Sequence, residues 1–132
     1  MRTERLFLAF TVALAWVVIA RDWYDYGWGP AGILFPLLAW SACLFLLSFG
    51  LHLRLRPWPR MAVIFLCYWI LLIGIETFGY HALGVRNLRT IGYPGLPLCD
   101  CLHAPLFMQA AYFALGPAYI LLLHIAEPKN LK

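Results

Sequence analysis

Residues 61–83 read MAVIFLCYWILLIGIETFGYHAL, an apolar run that holds one carboxylate, Glu76, and no lysine or arginine. As a helix rising 1.5 Å per residue, a run of this kind covers the roughly 30 Å of hydrocarbon in a bilayer. Three more apolar segments flank it, at 6–20, 31–53 and 104–126. Backbone N–H and C=O groups in hydrocarbon have to be paired within their own segment, which leaves the helix as the only form for isolated apolar runs of this length. The expected fold is therefore all-α: a polytopic integral membrane protein with four transmembrane helices. It forms a single domain over 1–132, with a long outer loop at 84–103.

Composition supports that reading. The chain is 64% hydrophobic and 12% charged, against about 25% charged residues in an ordinary soluble domain. Too little charge is present for a disordered chain, and the four cysteines, two of them (Cys43 and Cys67) inside apolar runs, do not make a secreted disulfide scaffold. The net charge of +4 does not mark a nucleic-acid face, because the basic residues flank the apolar segments, where they meet lipid headgroups. Membrane lipid is the expected partner; nucleic acid is not.

The segment at 6–20 is short for a span and can cross if Arg5 and Arg21 extend their stems toward the headgroups or if the bilayer thins locally. Its basic start, apolar middle and small residues Val18 and Ala20 also fit a signal peptide. We read it as a retained first helix. Seven basic residues (Arg2, Arg5, Arg54, Arg56, Arg60, Lys129, Lys132) then fall on one side and three (Arg21, Arg86, Arg89) on the other. The positive-inside rule places both termini in the cytoplasm. A bacterial inner membrane with the long loop on the periplasmic side is the expected location. Pro57 and Pro59 in the short turn make the second and third helices antiparallel neighbours. Trp23, Tyr24, Tyr26 and Trp28 suit an outer aromatic girdle, and Trp58 an inner one.

Ala110, Ala114 and Ala118 recur every fourth residue in the last segment, a stripe that lets another backbone approach closely. Pro117 is expected to kink that helix, and Pro36 to be tolerated near the start of the second. The apolar members of 84–103, Leu88, Ile91, Tyr93, Leu96, Leu98 and Leu102, suit neither water nor an open coil. That loop is expected to fold back as a lid or to dock on a partner subunit.

Glu76 is the strongest single signal for chemistry. It sits ~10 Å in from the outer end of its helix, where a carboxyl usually faces the bundle interior and marks function. Tyr80 lies one turn further out on the same face and is placed to hydrogen-bond it. Glu76, Tyr80 and His81 are the candidate catalytic residues. His81, Cys99, Cys101 and His103, with Asp100, Asp22 and Asp25 at similar depth, are of the types that ligate zinc or copper, so a transition metal is the cofactor to test. The single residue between the cysteines is tighter than the gap of structural zinc sites, and His81 lies 140° around an ideal helix from Glu76. Free thiols, ligands and a redox-active pair all stay open for Cys99 and Cys101. The histidines pair by depth, His52 with His124 and His81 with His103, but they sit too shallow for haem, which is disfavoured. No phosphate cradle, zinc-protease pair or serine nucleophile elbow occurs.

A small accessory or assembly subunit of a larger membrane complex is the expected function, with a larger integral membrane protein as partner. Four short helices enclose little volume, while the alanine stripe and apolar loop offer contact surface beyond their own needs. The alternatives are a stand-alone membrane enzyme or metal-binding protein with a polar outer site around Glu76, and a small transporter. The last is weakened because the chain lacks the repeats or broken helices that transporters use.

Overall fold

The computed structural model describes residues 2–21, 30–84 and 92–126. Of these, 81% are helical and none lies in a strand. The four helices are α1 (Arg2–Arg21), α2 (Pro30–Phe49), α3 (Pro57–Thr77) and α4 (Leu106–Ala126). A 3₁₀ turn, Gly50–His52, extends α2, and a π-helical turn, Phe78–Ala82, extends α3. All four helices are long and apolar enough to cross a membrane, consistent with an integral membrane protein. The girdle residues Trp23 to Trp28, the loop members Arg86 to Ile91 and the lysines at 129 and 132 lie outside the described residues.

α1 starts earlier than its apolar run. With 20 residues it is ~30 Å long, so no extended arginine is needed to complete it. Arg5 is in fact buried, and it turns across the bundle rather than outward. Its guanidinium donates to His52 Nε2 at 2.7 Å and to the Ser48 carbonyl at 3.3 Å, where α2 gives way to the 3₁₀ turn. A basic side chain thus caps the C-terminal carbonyls of a neighbouring helix. The Tyr119 hydroxyl donates to the Arg5 carbonyl at 3.3 Å and brings α4 to the same place.

α2 and α3 meet through the short turn at 53–56, with Pro57 in the first turn of α3, where its missing N–H is no loss. Arg60 reaches back to the Leu51 carbonyl at 3.2 Å. Gly50 is required here, because a Cβ would stand 2.6 Å from Ile64 Cγ1. Trp58 is left almost wholly exposed at this end of the bundle. We call this the turn end and the opposite one the cap end. α1 packs chiefly on α2 and touches α4 but not α3, while α2 and α4 meet across the middle.

Each helix contributes a buried ring to one aromatic cluster. Trp16 meets Tyr112 edge-on with centroids 4.6 Å apart, and Trp40 lies 5.8 Å from Tyr112 and 6.3 Å from Tyr68. Large rings filling the axis bury much area per residue. Gly116 makes room for them: a Cβ there would collide with the Tyr68 ring. The Tyr68 hydroxyl donates to the Tyr112 carbonyl. α2 runs through Pro36, and α4 through Pro117, without losing helical assignment. Pro117 has no N–H for the Phe113 carbonyl four residues back, and the Trp69 indole of α3 donates to that oxygen at 3.2 Å.

Candidate functional site at the cap end

The buried face of α3 follows the helical repeat: Ile64, Tyr68, Leu72, Glu76. Glu76 is placed by that register and has no ion pair among the described residues. It is 9% exposed and makes no hydrogen bond among the described residues. The expected bond from Tyr80 is not made. The Tyr80 hydroxyl instead accepts the His103 backbone N–H at 3.2 Å, and its ring stacks on the His103 imidazole with centroids 5.8 Å apart.

The π turn explains the change. Adding a residue to the last turn widens it and rotates everything beyond Thr77 relative to an ideal helix. Tyr80 and His81 then project to the segment above the bundle instead of stacking over Glu76. His81 Nε2 donates to the Cys99 carbonyl at 2.7 Å.

That segment, residues 92–105, lies against the bundle as a lid, with its own Cys101, Leu102 and Ala104 buried. A tight turn over 96–101 organises it. Leu96 N–H donates to the Cys101 carbonyl at 2.9 Å, and the Cys99 and Asp100 N–H groups donate to the Leu96 carbonyl at 3.2 and 2.9 Å. Gly95 is crowded, since a Cβ would stand 2.7 Å from His103 Nε2 and 3.0 Å from the Cys101 carbonyl. Asp100 (φ 43°) and Leu102 (φ 56°) hold left-handed backbone. For a branched apolar residue such as Leu102 this conformation costs about 1 to 2 kcal/mol.

Gln109 in the first turns of α4 fastens the lid. Its Nε2 faces the carbonyls of Pro94, Leu102 and Ala104 at 3.0, 3.3 and 3.1 Å. No motif in the sequence marks Gln109. The signal available was a lone amide at the start of an apolar helix, beside a loop whose carbonyls need donors.

The four residues expected to ligate a metal are otherwise engaged. Cys99 and Cys101 are joined by a disulfide, with their Cα atoms 5.1 Å apart. A disulfide sulfur is not the thiolate that binds metal. His81 is turned to the Cys99 carbonyl, and His103 faces the Tyr93 carbonyl through Nδ1 at 3.0 Å and Asp100 Oδ1 through Nε2 at 3.1 Å. Among the described residues no group of three or more His, Cys, Asp or Glu converges as metal ligands do. Asp22 and Asp25 lie outside the described residues. His52 is spent on Arg5 at the turn end, and His124 is exposed on α4.

The structure thus brings Tyr80, His81, Cys99, Asp100, Cys101 and His103 into one polar cap, with Thr77 Oγ1 at 4.0 Å from Cys101 Sγ linking it to α3. Glu76 sits one residue before that link. No family model, curated protein or solved structure matches this chain.

Proposed function

We propose that the chain is an integral membrane protein with both ends cytoplasmic and its cap on the periplasmic side of a bacterial inner membrane, and that it serves as a small accessory or assembly subunit of a larger membrane complex. The basic residues flanking the turn end support the orientation. A disulfide in the cap suits an oxidising compartment.

The outward direction of the alanine stripe carries the subunit reading. Ala110, Ala114 and Ala118 are all exposed, while Met108, Tyr112, Gly116, Tyr119 and Leu123 take the buried side of α4. Phe107 stands exposed at one end of the stripe and Leu121 and Ile125 at the other. The strip thus sets three small exposed residues between large exposed ones. Small residues concentrate where transmembrane helices pack closely, so a partner helix is its natural occupant. Gentle extraction at native expression, with mass spectrometry of what accompanies the chain, tests this. A stoichiometric membrane partner lost on Ala114→Phe is expected; an isolated, monodisperse chain would sink the reading.

The buried Glu76 carboxyl, with no hydrogen bond among the described residues, favours a second reading, a membrane enzyme in which Glu76 carries a proton and Tyr80, His81 and His103 contact a substrate at the cap. Glu76→Gln would then abolish turnover while leaving any partner bound.

A further inference from the structure

We propose that the Cys99–Cys101 disulfide is a thiol–disulfide exchange site for cysteine pairs of polypeptides that reach the cap surface. Three observations carry it, and none depends on the subunit or proton-carrier readings.

The bond holds little. A disulfide stabilises chiefly by removing loop-closure freedom from the unfolded chain, an effect that shrinks as the loop shortens, and here one residue separates the cysteines. The turn over 96–101 is already closed by three backbone hydrogen bonds, and Gln109, Tyr80 and His81 fasten the lid from outside it. As a staple the bond is redundant.

The backbone around it is strained. Asp100, between the cysteines, and Leu102, directly after them, both hold positive φ. Asp100 lies inside the small ring that the disulfide closes, so opening the bond lifts one constraint on its positive φ, which favours the dithiol.

The two sulfurs are also unlike. Cys101 is fully buried, and the Thr77 hydroxyl stands 4.0 Å from its Sγ, at the long limit of an O–H···S contact. Cys99 is half-buried, next to Leu98, which is 91% exposed and offers an apolar approach for an incoming chain. Access selects the sulfur attacked, and a hydroxyl donor favours the one that leaves.

The exchange balances as follows. A substrate thiolate attacks Cys99 Sγ; the Cys99–Cys101 bond breaks, a mixed disulfide forms on Cys99, and Cys101 leaves as a thiolate that takes up a proton. The second substrate thiol, deprotonated to solvent, attacks the substrate sulfur of the mixed disulfide. That releases Cys99 as a thiolate, which is protonated in turn, and closes the substrate disulfide. Two electrons pass from the substrate dithiol to the protein. A disulfide of the same class reoxidises the cap by the reverse steps. Thr77 is a positioning residue, and the two cysteines are the reacting groups.

The test uses the full chain in detergent with Cys67→Ala, which removes the exposed free thiol. Equilibration in buffers of reduced and oxidised glutathione, followed by alkylation and peptide mass mapping, is expected to show Cys99 and Cys101 passing from bonded to dithiol within the glutathione range. A bond intact across that whole range overturns the proposal without recourse to any variant of the pair. With oxidised glutathione, Cys101→Ser is expected to form an adduct on Cys99 at least about tenfold faster than Cys99→Ser forms one on Cys101; equal rates overturn the assignment of the attacked sulfur. Thr77→Val is expected to move the pH midpoint of Cys101 alkylation upward and leave Cys99 alkylation unchanged. An unmoved midpoint overturns the role of Thr77.

Discussion

The Trp69 indole donates to the Phe113 carbonyl, the one oxygen in α4 that Pro117 deprives of its amide. A carbonyl left unpaired in an apolar surround costs about 1 to 3 kcal/mol. Trp69→Phe is accordingly expected to lower stability by about that amount. Pro117→Ala in the same chain returns an N–H to Phe113 and is expected to recover most of the loss. A double-mutant cycle of unfolding in mixed micelles measures the coupling, and additive effects would show that the indole bond is incidental.

Gly116 and Tyr68 set how closely α3 and α4 approach. Gly116→Ala drives a methyl into the Tyr68 ring, and overpacking of this kind costs about 1 to 3 kcal/mol. Gly74, whose added Cβ meets nothing within 4 Å, is the control. Gly74→Ala is expected to be neutral or slightly stabilising, since alanine is the better helix former. Thermal unfolding of the two variants side by side checks both.

The span of the helices was legible from apolar length alone, and the burial of Glu76 from its depth. Which way each face points was not. Where a helix is apolar nearly all round, periodicity carries no inside-and-outside signal. Ala110, Ala114 and Ala118 could thus be seen as a stripe but not assigned to the outer surface. Arg5 read as a residue that stretches toward headgroups because nothing in a linear string reveals His52 and the Ser48 carbonyl 43 to 47 positions away. The π turn was invisible for a different reason. No residue pattern announces the extra residue in the turn, and an ideal period placed Tyr80 over Glu76 instead.

Gln109→Leu removes the donor that serves three lid carbonyls while keeping the volume and helix propensity. Helical content is expected to stay constant. Amide hydrogen exchange at 92–105 is expected to accelerate about tenfold or more, because the lid then loses its side-chain hydrogen bonds to α4 and opens locally. Unchanged protection would mean that packing of Leu102 and Ala104 holds the lid without the amide.

Since the Arg5 guanidinium can only donate, His52 Nε2 has to accept. His52→Gln keeps an acceptor and is expected to be mild. His52→Lys puts an ammonium at an exposed position beside the buried Arg5 guanidinium and, by like-charge repulsion and loss of the acceptor, is expected to destabilise more than His52→Gln, with α1 the first element to loosen. Limited proteolysis near the chain start, compared between the two variants, distinguishes them.

Trp16, Trp40, Tyr68 and Tyr112 have an electrical consequence. Among the described residues, one clustered ring from each helix stands on the axis between the Arg5–His52 pair and the imidazole and carboxylate of the cap. An ion following that axis would have to displace four interlocked rings. Set across a membrane, such a bundle would insulate, with a polar group at each pole. A voltage across it would fall over the aromatic waist, leaving the chemistry of each end to answer only to its own side.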